Sequence, residues 1–235
     1  MIKELFPKLI IEDEEIEEFK KYLLIKGQFL YKQIYELILL TDEEVHYREI
    51  AQIIRYDKYL RNTLYKFLSA LEEQWRATIF SKLEYNSTKK ELINNNIDLK
   101  KIVKKVNLND SVFYWASFNK KFTLSKIIEI IQQKSKDLDI ELDNEHAAML
   151  KKLRNSVMHH NLLLFSINES IEEVLNEIKT IEKSIEVLWQ LLDYNLSNTL
   201  EKEINLGNYR GGRIDSEAPN LTRFCLRRFK NGIFI

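Results

Sequence analysis

From residue 41 to residue 85 the chain contains neither proline nor glycine. A run of that length without a breaker predicts one or two long helices. Thr41 and Asp42 are suited to cap its start, and Glu44 would complete a capping box with Thr41. The same scarcity holds throughout: two prolines and five glycines in 235 residues, where an average chain carries about 5% and 7%. Sheets rich in tight turns are therefore disfavoured, and 45% apolar content supports a sizeable core. The expected fold class is all-α.

Other segments repeat the helical pattern. Ile16, Phe19 and Leu23 follow an acidic cluster at 12–15, Gly27 punctuates, and QFLYKQIYELILL resumes the spacing, which predicts a helical hairpin. VFYWASF, FTLSKIIEIIQQ and residues 144–159 predict three more helices. Residues 169–204 carry Val174, Ile178, Ile181, Ile185, Leu188 and Leu192 on one face. After Leu206 the character changes, because GNYRGGRIDSEAPN holds three of the glycines and one proline. The expected organisation is a helical domain over 1–205, then a linker and a basic-aromatic tail over 206–235.

Thirty-six basic residues balance thirty-six acidic ones, so contact with nucleic acid must come from local clustering. Residues 86–110 form one candidate surface, with six lysines against three acids; a short helix is expected at 99–106. The single cysteine, Cys225, leaves no internal disulfide and no cysteine-based zinc site. No HExxH occurs, and Glu145, His146, His159 and His160 are too spread along a helix to share an ion. No metal or other cofactor is expected. No apolar run has signal-peptide or membrane-spanning length, so the expected location is cytoplasmic, with no membrane partner.

The stretch LRNSVMHHN at residues 153–161 is the one place that looks like chemistry. An arginine followed after four to six residues by histidine arises by chance roughly 0.5 times in such a chain, but requiring asparagine directly after the arginine and a single fixed spacing lowers this to about 0.01. Cleavage of RNA by its own 2′-hydroxyl needs a base, an acid and a cation for the charge gathering on phosphorus. Histidine serves either proton step and arginine serves the charge. On a regular helix Asn155 and His159 share a face, whereas Arg154 and His159 stand about 140° apart. Two such helices meeting across a dyad would unite the groups, so a homodimer or higher assembly is expected. An ordinary helix end also fits these residues, with Arg154 paired to a carboxylate, Asn155 closing a turn and the histidines near the negative end of the dipole.

A second block, YDKYLRNTLYKFLSALEEQWRATI, lies at 56–79. With Arg61 as zero, Asp57, Leu68, Glu72 and Arg76 fall within about 100° of arc, so one helix carries these charges in a stripe. Ordinary i,i+4 pairing would explain them; so would a stripe beside the Arg154 helix, with Glu72 or Arg76 orienting Arg154 or binding phosphate. The two blocks together resemble the Abi-like family of bacterial abortive-infection proteins, of the AbiD and AbiF type. Asp57, Arg61, Glu72 and Arg76 match the family's first block; Arg154, Asn155, His159, His160 and Asn161 match its RN…HHN. Trp115, Leu124, Ser125 and Lys126 match a middle segment that lacks the family's usual glycine. The family's Arg-Leu-Trp-Asn after HHN is replaced here by LLLF, and the likeness spans roughly residues 28–165.

The resemblance implies a HEPN-like helical bundle with additional helices and a metal-independent endoribonuclease used in phage defence or as a toxin. For the AbiF branch it also implies pairing with a small non-coding RNA. In that light Arg154, Asn155 and His159 are the expected catalytic set, with His160, Asn161, Glu72, Arg76, Arg61 and Asp57 as auxiliaries. A non-cleaving RNA-binding module of the same fold and a protein-binding helical adaptor are the alternatives. The tail adds Arg210, Arg213, Arg223, Arg227, Arg228 and Lys230 against Asp215 and Glu217, interleaved with aromatics. That composition suits RNA. It equally suits Phe224, Leu226 and Phe229 packing on the helical body with the cations solvated.

Overall fold

The computed structural model describes residues 2–82, 123–158, 162–164, 170–206 and 224–235. The described chain is mostly helical: α1 (Ile2–Leu5), α2 (Ile16–Lys26), α3 (Gln28–Leu39), α4 (Tyr47–Lys82), α5 (Leu124–Gln133), α6 (Ser135–Leu138), α7 (Asn144–Met158), α8 (Ile171–Leu191) and α9 (Tyr194–Leu206). Short strands are β1 (Leu9–Ile10), β2 (Val45–His46), β3 (Phe229–Lys230) and β4 (Ile233–Phe234). The expected helices at 99–106 and in VFYWASF lie outside the described residues. Among the described residues no helix is long and apolar enough to cross a membrane.

The chain divides into two compact units, residues 1–67 with 153–235, and residues 68–152. In the first, α2 and α3 form the expected hairpin. Gly27 joins them at φ +85°, a left-handed conformation that a side chain resists. Phe19 packs edge to face on Phe6, Tyr31 and Tyr47 with centroids 5.4–5.9 Å apart, and Phe6 meets Tyr35 in the same way. This aromatic centre is joined by Ile50, Ile53, Tyr56, Leu60 and Leu64 of α4, all buried at the spacing of one helix face.

The start of α4 departs from the expected cap. Thr41 donates its hydroxyl to the carbonyl of Ile38, and the amides of Thr41 and Asp42 bond the same carbonyl, so these residues close α3. Val45 and His46 then pair in parallel with Leu9 and Ile10. That ladder takes up the backbone before α4 can begin. Glu49 caps the helix by accepting from the His46 amide at 2.9 Å.

The second unit is built on Leu68, Leu71, Trp75 and Ile79 of α4, Leu124, Ile127, Ile128 and Ile131 of α5, then Leu138, Leu142, Ala147 and Leu150, all buried. Lys82 Nζ donates to the Leu138 carbonyl at 2.9 Å, and Asp143 accepts from the His146 amide at the start of α7.

In the first unit the apolar pattern expected over 169–204 is divided between two helices, α8 and α9. Ser170 caps α8 by accepting from Glu173. At the break, Asp193 accepts from the amides of Asn195 and Leu196, which satisfies the first donors of α9. The end of the chain returns onto these helices as an antiparallel hairpin, Phe229 opposite Phe234 with rings stacked at 4.5 Å. Its turn is Asn231 (φ 51°) and Gly232 (φ 82°), both positive as a type I′ turn requires. A Cβ on Gly232 would sit 2.5 Å from the Trp189 ring. Gly232→Ala therefore meets both strain and a clash, and a loss of about 1–3 kcal/mol is expected in chemical denaturation. An unchanged midpoint would show that the hairpin gives way at no cost.

Candidate functional site

The last turns of α7 carry the first part of the RN…HHN block. Leu153 and Val157 are fully buried, which fixes the helix rotation. Arg154 is then left half-buried and Asn155 exposed. His159, His160 and Asn161 lie outside the described residues.

At Leu163 and Leu164 the backbone is taken up by the other block. Asp57, wholly buried, accepts from the Leu163 amide at 2.5 Å and from the Leu164 amide, and pairs with Arg61 Nε at 2.7 Å. Burial pushes the Asp57 carboxyl above its ordinary value, while the Arg61 guanidinium and the two amides pull it back. The side chains of Leu163 and Leu164 are buried as well.

Both i,i+4 pairs of the stripe form. Glu72 meets Arg76 Nη2 at 3.1 Å, with side chains only 10% and 20% exposed; Asp57 and Arg61 are 0% and 17% exposed. Pairs this sheltered differ from solvated surface pairs worth a few tenths of a kcal/mol. Removing one member strands a charge away from water, at about 3–5 kcal/mol. For Asp57→Ala a loss of that order is expected, read as a lowered denaturation midpoint. A stability within 1 kcal/mol of the parent, on the order of an exposed pair, would show that the carboxylate is dispensable.

The end of the basic-aromatic tail divides by alternate residues. Phe224, Leu226, Phe229 and Phe234 are buried, whereas Arg227, Arg228 and Lys230 face outward. Arg227 is not simply solvated: Glu182, 1% exposed on the apolar face of α8, accepts from its amide at 2.8 Å, its Nε at 3.0 Å and its Nη2 at 2.7 Å. The same hydrogen bond raises the Arg227 pKa above its usual value. Asn205 brackets Phe229, donating to its carbonyl at 2.7 Å and accepting from its amide at 3.0 Å. Arg210, Arg213 and Arg223 lie outside the described residues.

Glu182 went unread in the sequence, although a carboxylate one residue after Ile181 and three before Ile185 interrupts an apolar face and so calls for a partner. The Asn-Gly pair at 231–232 was the signal for the hairpin. Because this segment is part of the core, deleting the tail would unfold as well as discharge it. Arg228 and Lys230 can be neutralised instead. Replacing both with glutamine should lower the slope of log affinity for single-stranded RNA against log salt by about 1.4, from two phosphate contacts at about 0.7 each. An unchanged slope with a folded protein would remove the hairpin from the RNA contact.

Among the described residues no group of three or more His, Cys, Asp or Glu is placed to hold a metal ion. Comparison of the chain with known protein families, with curated proteins and with solved structures finds no match.

Proposed function

We propose that this chain is a metal-independent endoribonuclease of the HEPN type, acting in abortive infection or as a toxin, with His159 as base or acid. Arg154 stabilises the charge on phosphorus, and Asn155 organises the helix end. The observation that carries this reading is the bond from the Leu163 amide to Asp57. Asp57 of the first block holds the backbone at Leu163, two residues past the end of the RN…HHN block and four after His159, so a buried hydrogen bond ties the chain next to one block to the other. Catalytic groups need such support from packed neighbours. Pairing of two protomers would supply a separate acid and base, and a small non-coding RNA would keep the enzyme silent.

A non-cleaving RNA-binding role draws support from one separate feature, the outward Arg228 and Lys230 on the terminal hairpin. Turnover separates the two. Purified protein incubated with mixed RNA in EDTA should cut it, leaving 2′,3′-cyclic phosphate and 5′-hydroxyl ends, because the attacking oxygen belongs to the ribose. His159→Ala and Arg154→Ala should each lower the rate by about 10²-fold or more at an unchanged melting temperature. Intact RNA with tight binding would favour the non-cleaving role, and 5′-phosphate ends would refute the chemistry.

A further inference from the structure

We propose that the open cleft between α2, α3 and the beginning of α4 is a binding site for a phosphorylated nucleoside. The cleft has a volume of about 170 Å³, and its walls include Tyr22 and Lys26 of α2, Tyr31 of α3, and Tyr47, Arg55 and Lys58 of α4. Three features point to that ligand class.

The first is charge. Lys26, Arg55 and Lys58 line the cleft against one carboxylate, Glu18, and among the described residues none of the three cations belongs to an ion pair. In a chain with no net charge, three cations around one concavity make a local anion site. Lysine and arginine both bind phosphate oxygens, arginine through two parallel donors.

The second is a buried pair of phenols, Tyr31 and Tyr47. The Tyr47 hydroxyl is buried, at 3% exposure, and its one partner is the Tyr31 hydroxyl, with which it makes a poorly aligned contact. Burial pushes Tyr31 up to about 12 and Tyr47 higher still, so both hydroxyls keep their protons at neutral pH. A buried donor with only a poorly aligned partner gains from a better-placed acceptor, which a ligand oxygen entering the cleft would supply.

The third is the mixture of groups. A site for bare phosphate has no use for aromatic walls or a carboxylate. A nucleoside phosphate uses both, through a base lying on a tyrosine ring and ribose or base donors facing Glu18. This site is separate from the Arg154 block, and a chain that cuts no RNA can still possess it.

Isothermal titration of the full chain with AMP, GMP, CMP and UMP tests the proposal, with each parent nucleoside and inorganic phosphate run beside it. At least one mononucleotide should bind about tenfold or more tighter than its nucleoside and than phosphate. Arg55→Gln and Lys58→Gln, both at exposed positions, should each weaken it by about tenfold, the equivalent of one charge-assisted contact, with the melting temperature unchanged. Tyr47→Phe should weaken binding, because a donor facing the cleft is removed. Short RNAs with 5′-phosphate and 5′-hydroxyl ends separate the sources: preference for the phosphorylated end identifies an RNA terminus, and preference for the mononucleotide identifies a free nucleotide. Equal binding of nucleoside and nucleotide, phosphate binding as tightly as nucleotide, indifference to Arg55→Gln, or no binding at all would each overturn it.

Discussion

The buried carboxylate of Asp57 is the interaction on which the candidate site depends. Its oxygens serve Arg61 and the amides of Leu163 and Leu164, and each partner answers a need of the other. A carboxylate excluded from water is tolerated only with a cation and donors around it. Buried amides in a segment outside any helix or strand need acceptors, or cost about 1–3 kcal/mol apiece. The bond also joins residues 57 and 163, and so closes a loop of about a hundred residues. The ordering lost in closing such a loop grows only slowly with its length, so one well-satisfied polar cluster with the buried Leu163 and Leu164 side chains can hold it.

The C-terminal segment uses the same device twice more. Glu182 and Asn205 are side chains on helices, yet each serves backbone groups of the returning chain, at Arg227 and Phe229. Glu201 and Glu186 add acceptors for Asn231 and Phe234. A two-stranded hairpin of this size is marginal alone in water. Here its outer backbone groups find side-chain partners in place of a third strand, and its alternate apolar residues enter the core while its cations stay outside.

The helices were legible because their signals are local. Missing breakers and 3.6-residue spacing gave the α2–α3 hairpin, α4, α5 and α7, and i,i+4 spacing gave both ion pairs. Partnerships made at a distance were not legible. Nothing near Thr41 announces that Val45 will pair with Leu9, so a good capping sequence was assigned to the wrong helix. Asp193 breaks the run between α8 and α9 within a continuing apolar pattern, and periodicity does not sense a cap inside a stripe. Sequence spacing showed Asp57 and Arg61 as neighbours but not their burial, which turns a minor surface pair into a structural one. Of the candidate catalytic set, Arg154 and Asn155 are described at the end of α7, and His159 is not.

Neutral overall charge sets a further condition on any contact with RNA. Without a general positive field, long-range attraction to phosphate is weak, and encounter depends on small groups of cations held in fixed places. The described residues provide two, Arg228 with Lys230 on the hairpin and Lys26, Arg55 and Lys58 around the cleft. Both are rooted in buried aromatic residues, Phe229 and Phe234 in one case and Tyr31 and Tyr47 in the other. Fixing the backbone beneath a cation reduces the ordering it must undergo on binding, so a few charges on rigid elements can replace a broad basic surface. Contacts of this kind release few counterions, and binding through them falls less steeply with salt than binding along an extended basic groove.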